Sequence, residues 1–115
     1  MRQADALFSR YIRLRDQWCQ HCGETQYLQC AHIFSRSARG IRFDEENAVA
    51  LCRGCHKYFT ERPLEWEVWR EQRLGEFAIR ALRTRGLRHH GRVNYRVIVD
   101  ELRRKIKDLE EAAFD

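Results

Sequence analysis

The chain has 115 residues, of which 43% are hydrophobic and 34% charged, and its formal net charge is +5. This length fits one domain, and we expect a single domain over residues 1–115. The composition excludes a disordered chain, and no apolar run reaches the roughly 20 residues of a membrane-spanning helix. The N-terminal alternation of apolar and charged residues is not that of a signal peptide. We therefore expect an intracellular, cytoplasmic protein without a membrane partner.

Basic residues outnumber acidic ones by 22 to 17, and most of the basic residues are arginine. The arginine guanidinium binds phosphate oxygens through a planar fork of donors. This charge balance indicates a polyanionic partner, for which nucleic acid is the first hypothesis. The alternative is a solvated charged surface without a binding role.

The N-terminal segment, residues 1–18, predicts an amphipathic helix over about 3–17. Its apolar side chains recur at the spacing of one helical face, and they are Leu7, Tyr11, Leu14 and Trp18. We expect this helix to lead the chain into the first of two cysteine pairs.

Residues 19–60 predict a mixed α and β core. The apolar stretch 27–34 predicts a strand, and 41–43 predicts a second short strand. A short helix is expected from about Arg53 to Phe59.

Residues 61–115 predict a helical, basic C-terminal part. Pro63 suits the first turn of a helix, whose buried face would hold Leu64, Val68 and Trp69 before Gly75 interrupts it. A further helical face is expected to continue through Phe77, Ala81 and Leu82 to Gly86.

Residues 86–92 then predict a connector before a last helix over about 94–113. That helix carries a regular apolar stripe, made of Tyr95, Ile98, Leu102, Ile106, Leu109 and Ala113. The stripe either packs on the protein's own core or pairs with a second copy, so the sequence leaves a monomer and a homodimer both open.

Five cysteines in an intracellular chain argue against disulfides. Four of them form two C-x2-C pairs, Cys19 with Cys22 and Cys52 with Cys55. Four thiolates at this spacing predict a tetrahedral structural zinc site. The fifth, Cys30, is either a small buried hydrophobic residue or a further ligand.

An acid-free stretch between Glu76 and Asp100 contains six arginines and two histidines. Such a stretch predicts a phosphate track or, alternatively, a solvated helix face. Together with the loop after the first strand, it supplies the candidate DNA-binding residues, which are Arg36, Arg39, Arg80, Arg83, Arg88, Arg92 and Arg96.

Two histidines between and beside the cysteine pairs can converge on one groove. His32 ends the first predicted strand, and His56 follows Cys55 at the start of a helix. One imidazole can deprotonate water, a metal can neutralise developing charge, and arginines can hold a phosphate. This groove therefore suits hydrolysis of a phosphodiester.

The stretch from Cys19 to Thr60 resembles the HNH endonucleases of the ββα-metal superfamily. The resemblance lies in WCQHCG, in CAHIFSRSARG and in the N-x3-L-C-x2-C-H pattern from Asn47 to His56. It is closest to the small phage-type branch with a four-cysteine zinc site, which includes the NinG/Rap nucleases. The implied fold is α+β, a ββα-metal motif with a four-cysteine zinc site, flanked by an N-terminal helix and C-terminal helices.

The resemblance implies a role for each matching residue. His32 resembles the general base, Asn47 the residue that orients it, and His56 a ligand of the catalytic divalent metal. Arg36 is the corresponding phosphate-positioning residue. The implied cofactors are structural Zn²⁺ and one catalytic ion, which is Mn²⁺, Ni²⁺, Co²⁺, Zn²⁺ or Mg²⁺.

The sequence departs from the family pattern at Ala31, where many members carry an aspartate that is the second metal ligand. Either another residue takes this place, with Cys30, Asp44, Glu45 and Glu46 nearby, or the metal is held through His56 with more water. We expect a metal-dependent DNA endonuclease. The alternatives are a zinc-stabilised DNA-binding module without catalysis and a zinc protein that acts on RNA or a protein partner.

Overall fold

A computed structural model describes residues 1–88 and 92–113 of the chain. In this part, five α-helices accompany a two-stranded antiparallel sheet. In chain order the elements are α1 Arg2–Asp16, β1 Leu28–His32, β2 Ala48–Cys52, α2 Arg53–Thr60, α3 Pro63–Leu74, α4 Glu76–Leu87 and α5 Tyr95–Ala112. The expected α+β class is confirmed, with β1, β2 and α2 forming the ββα unit between an N-terminal helix and C-terminal helices.

The second strand is β2, and the prediction of a strand at 41–43 was wrong. Two short 3-10 turns, Arg39–Ile41 and Glu45–Asn47, occupy the connection between the strands. All five β2 residues are buried, because helices cover both faces of the sheet. A strand buried on both faces lacks the alternation of polar and apolar residues that indicates a strand in a sequence.

Two hydrophobic clusters lie on opposite faces of this sheet. On one face, Val49 and Leu51 pack with residues of α2 and α4, among them Phe59 and Leu82. On the other face, Ala48 and Ala50 pack with four large side chains of α1 and α5. Those side chains are Phe8, Ile12, Leu102 and Ile106. The pleat of β2 sends alternate side chains to the two clusters, so the small sheet is the centre of the fold.

α1 packs against α5 and the sheet through Ala4, Phe8, Tyr11 and Ile12. The predicted face was wrong at Leu14, which is exposed, and at Trp18, which lies beyond the helix end and is 49% exposed. Gln17, in the left-handed conformation with φ 67°, ends the helix and donates its backbone N–H to the Arg13 carbonyl. The turn therefore takes Trp18 out of the helical repeat.

α5 packs Ile98, Leu102, Ile106 and Leu109 of its predicted stripe against α1, on the protein's own core. The prediction was wrong at Ala113, which is exposed and follows the end of the helix. The helix begins after Asn94, whose side chain accepts a hydrogen bond from the Val97 N–H over 3.3 Å. This is an ordinary N-cap. Of the predicted connector 86–92, residues 89–91 lie outside the described part of the chain.

The bounds of α3 agree with the prediction, because Pro63 begins it and Gly75 ends it with φ 86°. Its predicted buried face was right at Trp69, which packs on the core, and wrong at Leu64 and Val68, which are exposed. Trp66 packs on the core as well.

In α4 the prediction was also partly wrong. Phe77 is 83% exposed and Ala81 is exposed, whereas Ile79 and Leu82 are buried. Each of these helices has several apolar residues, and only packing against the sheet selects which of them are covered. Among the described residues, no helix combines the length and apolar character that crossing a bilayer requires.

Candidate metal centre and active-site cleft

The four paired cysteines converge at the junction of the α1–β1 loop, the end of β2 and the start of α2. Their Sγ atoms all lie within 4.8 Å of one another, and Cys22 Sγ is 3.7 Å from Cys52 Sγ. Tetrahedral zinc with Zn–S bonds of about 2.3 Å needs sulfur atoms about 3.8 Å apart. The cluster could therefore bind a metal ion such as zinc.

Backbone N–H groups support the two cysteine turns. The Cys22 N–H donates to Cys19 Sγ over 3.5 Å, and the Cys55 N–H donates to Cys52 Sγ over 3.4 Å. The same turn makes Cys52 the N-cap of α2. Metal binding and the start of α2 therefore depend on the same residue, and α2 carries His56 one position after Cys55.

His21 lies in the first cysteine turn and was not among the predicted site residues. Its Nδ1 is 3.2 Å from Cys55 Sγ, and its ring packs edge-on against Phe59 and Trp69. An imidazole N–H donating to a metal-bound thiolate is a usual outer contact of a zinc site.

A cleft of about 590 Å³ opens between α1, β1 and α2. It brings together the predicted residues Cys30, His32, Arg36 and His56 with residues that the sequence did not predict. The additional lining side chains are Asp5, Ser9, Arg13, Leu28 and Gln29. His32 and His56 also line an adjoining cavity of about 210 Å³ together with Ala31. The two histidines thus converge on shared space from a strand end and a helix start.

The His32 ring is held in one orientation. Its Nε2 lies 3.0 Å from the Arg42 carbonyl oxygen, and its ring stacks on Phe8 with 5.6 Å between ring centres. Because a carbonyl can only accept, the ring proton belongs on Nε2 and the lone pair on Nδ1. Burial lowers the pKa of His32 below its ordinary value of 6.5, against the opposing effect of the Arg42 carbonyl. The ring is therefore neutral at pH 7.

The His56 ring lies 2.7 Å from Gln29 through its Nδ1 and the Gln29 Oε1. This contact leaves Nε2 as the nitrogen with a lone pair when the amide oxygen accepts from Nδ1–H. Burial lowers the pKa of His56 below its ordinary value. A neutral imidazole with one free nitrogen is the form that ligates a divalent metal.

Asn47 is completely buried between the strands. Its side chain accepts from the Phe34 N–H over 2.8 Å and donates to the carbonyls of Phe34 and Ile41, both over 3.1 Å. Three hydrogen bonds from one amide hold the segment after His32 against the segment before β2.

The acids proposed as replacements at position 31 lie elsewhere. The Asp44 and Glu46 carboxylates pair with Arg85, and Glu45 pairs with Lys105 and accepts from the Tyr11 hydroxyl. In the described part of the chain, Asp5 is the sole carboxylate that lines the large cleft. Cys30 lies on the same strand face as His32, and burial raises the pKa of its thiol to about 12. Cys30 is therefore a protonated thiol at neutral pH.

The predicted DNA-binding arginines divide into separate groups. Arg36 lines the cleft, while Arg39, Arg80, Arg83, Arg88, Arg92 and Arg96 are exposed outside it. Arg83 lies over the Phe34 ring at 5.5 Å, close to the chain that follows His32. His89 and His90, which belong to the same acid-free stretch, lie outside the described residues.

α1 supplies three polar side chains to the cleft, Asp5, Ser9 and Arg13. They are spaced four residues apart and so share one helical face. The spacing can be read from the sequence, but it does not predict that this face of α1 lines a cleft with β1 and α2.

The family model of HNH endonucleases matches residues 19–62, which is less than half of the chain. The matched stretch contains the cysteine cluster, Asn47 and both cleft histidines. No curated protein and no solved structure matches the chain. The match and the cysteine cluster support a nuclease-type domain with a metal-binding site, and the family implies a nucleic-acid substrate.

Proposed function

We propose that the chain is a metal-dependent HNH endonuclease that hydrolyses DNA phosphodiester bonds by nicking or cleaving duplex or branched DNA. The observation that carries the proposal is the convergence of His32 and His56 on one cleft next to the cysteine cluster. The four-cysteine cluster and Arg36, four positions after His32, favour the small phage-type, NinG/Rap-like branch. An intracellular site of action in a bacterium or a phage-infected cell follows from that assignment.

In this proposal His32 is the general base. Its Nδ1 keeps the lone pair, and the Arg42 carbonyl stabilises the imidazolium that forms when the ring takes a proton from water. Phe8 blocks one face of the ring and limits its rotation. Asn47 contributes by holding the chain that follows His32, at Phe34, in place. The base is thus oriented before substrate binds.

Both Asp5 oxygens in the cleft already accept hydrogen bonds from Arg42. In this proposal His56 is the protein ligand of the catalytic metal, because its Nε2 keeps a lone pair and the residue lines the cleft. Cys30 lines the same cleft and is the candidate second ligand, since a bound metal deprotonates a coordinating thiol. A divalent ion held there would neutralise charge that develops at the scissile phosphate. An imidazole-dominated site suits Mn²⁺, Co²⁺, Ni²⁺ or Zn²⁺ better than Mg²⁺.

Arg36 and Arg13 line the cleft with positive charge and are the proposed phosphate-positioning residues at the reaction centre. The exposed arginines outside the cleft would track the backbone of the flanking DNA. Other cations of the chain are already neutralised by acidic partners. Lys105 pairs with Glu45 over 3.1 Å, and Arg85 pairs with Asp44. We therefore assign DNA binding to the cleft and to the exposed arginines outside it, of which Arg80 also pairs with Glu76 over 2.8 Å.

The competing function is a zinc-stabilised DNA-binding module. It has no need of a half-buried neutral histidine that lines an open cleft beside a second histidine, and this observation favours the nuclease. The test is nicking of supercoiled plasmid by the zinc-loaded full chain, with Mn²⁺, Mg²⁺, Ni²⁺, Co²⁺ or added Zn²⁺, and with a chelator as the metal-free arm. Linear duplex and a four-way junction run in parallel identify the DNA structure that is cut.

The decisive variant is His32→Ala, purified in the same way to control for contaminating nucleases. A base acts in the transition state and not in ground-state binding, so nicking should be lost while DNA affinity, measured by fluorescence anisotropy, stays within a few-fold. Equal nicking by wild type and His32→Ala would assign the base elsewhere. DNA binding without metal-dependent nicking by the wild type would favour the binding module.

A further inference from the structure

α1 lies outside the stretch that matches the HNH family, yet it contacts the proposed base from two directions. Phe8 stacks directly on the His32 ring. Asp5, one turn earlier, accepts two hydrogen bonds from the Arg42 guanidinium, from Nε over 2.9 Å and from Nη2 over 2.7 Å. Arg42 is the residue whose carbonyl faces His32 Nε2.

We propose that Asp5 is a positioning residue for His32 and acts through Arg42. The two-point contact between carboxylate and guanidinium fixes the Arg42 side chain against α1, and with it the backbone carbonyl that orients the imidazole. The inference rests on the proposed function for its catalytic consequence, but the orientation of His32 can be measured without any cleavage.

The surroundings of the pair make it more than a surface salt bridge. The Arg42 and Asp5 side chains are only 17% and 24% exposed, and Asp5 lines the cleft. Arg42 also lies over the Phe43 ring at 5.8 Å, and Phe43 packs edge-on against Phe8. The base, its stacking partner and the carbonyl that holds it are therefore joined in one connected set of contacts.

A carboxylate beside a phosphate-binding cleft would be unfavourable for DNA binding alone, because it repels the phosphate. Asp5 lies 4.0 Å from Arg36 and so reduces the positive charge that the substrate meets. A role in positioning accounts for its place, since orientation of the base raises kcat at some cost in affinity. Removing the Asp5 charge should therefore lower kcat through loss of orientation but strengthen DNA binding through loss of repulsion. Separate measurements of kcat and of DNA affinity distinguish the two effects.

The experiment compares Asp5→Asn with Glu110→Gln in the full zinc-loaded chain. Glu110 of α5 pairs with Arg10 of α1, the helix that also carries Asp5. Glu110 does not line the cleft, so Glu110→Gln is the charge-matched control. We expect Asp5→Asn to lower kcat about tenfold, with KM and the DNA dissociation constant unchanged or lower. Glu110→Gln should leave kcat unchanged. Melting curves identify any variant that is partly unfolded.

Two further measurements separate positioning from structure. Nitrogen-15 NMR of labelled histidine should show His32 in the Nε2–H form in wild type and a mixture of tautomers in Asp5→Asn. Arg42→Lys keeps the charge but loses the two-point contact, so it should reproduce the kcat loss. Combining it with Asp5→Asn should add little, because both act through one contact.

The proposal is overturned if Asp5→Asn leaves the His32 tautomer unchanged, or if its kcat stays within twofold of that of Glu110→Gln. Additive losses in the double variant would likewise refute action through Arg42. A wild-type chain that does not cleave DNA would refute the proposed function alone, since the tautomer measurement would still decide whether Asp5 orients His32.

Discussion

Asn47 and Phe34 exchange two hydrogen bonds across the loop between the strands. The Phe34 N–H donates to Asn47 Oδ1 over 2.8 Å, and Asn47 Nδ2 donates to the Phe34 carbonyl over 3.1 Å. Only a side chain that both donates and accepts can make this pair of contacts. Aspartate and leucine are similar in size, but an ionised aspartate only accepts and leucine does neither. The amide extends the pairing of β1 and β2 beyond the end of the sheet.

Replacing this amide should destabilise the fold. Asn47→Ala leaves one N–H and two carbonyls without their partner, and we expect a loss of about 3 kcal/mol in the free energy of unfolding. The measurement is urea denaturation followed by circular dichroism. Asn94→Ala, which removes only the exposed cap of α5, is the control and should cost about 1 kcal/mol. Equal losses in the two variants would contradict a structural role for the buried amide.

The cysteine cluster should be separable from catalysis. A closed four-ligand site leaves no position for substrate, so Cys22→Ser should lose zinc and unfold or be strongly destabilised. His56→Ala should keep zinc and stay folded while losing metal-dependent nicking. Zinc content by mass spectrometry and a circular-dichroism melt check both variants.

Cys30→Ala is the matched control for the cysteine substitutions, since Cys30 lies outside the four-sulfur cluster. It should retain one zinc per chain. A Cys22→Ser protein as stable as wild type, or a Cys30→Ala protein without zinc, would refute the assignment of the cluster.

The salt dependence of DNA binding should distinguish free arginines from paired ones on the same helix. Each phosphate contact contributes about 0.9 to the log–log slope of affinity against salt. Arg83 has no acidic partner among the described residues, whereas Arg85 pairs with Asp44 and Glu46. Arg83→Gln should therefore flatten the slope by about one unit, and Arg85→Gln should change it little.

A combined replacement of Arg83 and Arg88 by glutamine should flatten the same slope by roughly two units, whereas Arg80 pairs with Glu76 and is left in place. Anisotropy titrations from low to moderate salt measure the slope directly. An unchanged slope in the combined variant would mean that this face is only solvated.

The pH dependence of cleavage should report the burial of His32. The base must be neutral to accept a proton, and burial lowers the pKa of His32 below 6.5. The cleavage rate should therefore stay level from about pH 8 down to neutrality and fall only once the pH drops below 6.5. The measurement is kcat/KM as a function of pH. An NMR titration of the His32 ring shows whether the fall in rate at acid pH coincides with protonation of His32. A limb above pH 7 would show that another group is the base.

The metal preference should follow from Ala31. This residue is buried and lines the 210 Å³ cavity with His32 and His56, so Ala31→Asp would place a carboxylate beside the proposed metal ligand. Wild type should work better with Mn²⁺, Co²⁺ or Ni²⁺ than with Mg²⁺. Ala31→Asp should raise Mg²⁺-supported nicking, and Ala31→Asn, of the same size without the charge, should not. Equal Mg²⁺ and Mn²⁺ activity in wild type, unaltered by Ala31→Asp, would show that a second ligand is already present.

The features of this protein that could be predicted from its sequence are those with local determinants. The C-x2-C pairs predicted the sulfur cluster because two residues of spacing let one turn present both thiolates. Pro63 and Gly75 predicted the ends of α3 because proline and glycine act through their own backbone. The apolar stripe of α5 was regular enough to give its helix, with bounds within about one residue.

The predictions failed where the outcome depends on packing between elements that are distant in the chain. Periodicity shows that a helix has an apolar face, but α1 buries Phe8 and Ile12 and leaves Leu14 exposed because that is how it meets β2 and α5. β2 was not predicted because helices cover both of its faces, so its residues do not alternate between polar and apolar.

The sequence by itself determined the chemistry available to this protein: two cysteine pairs, two histidines and an asparagine in register with them, and an excess of arginine. Only the tertiary structure decided which charges remain free and what surrounds the base. Arg85 is neutralised by acids about 40 positions away, and Asp5 reaches Arg42 across 37 positions. Such contacts are set by the packing of α1 and α4 against the central unit, and no local pattern encodes them.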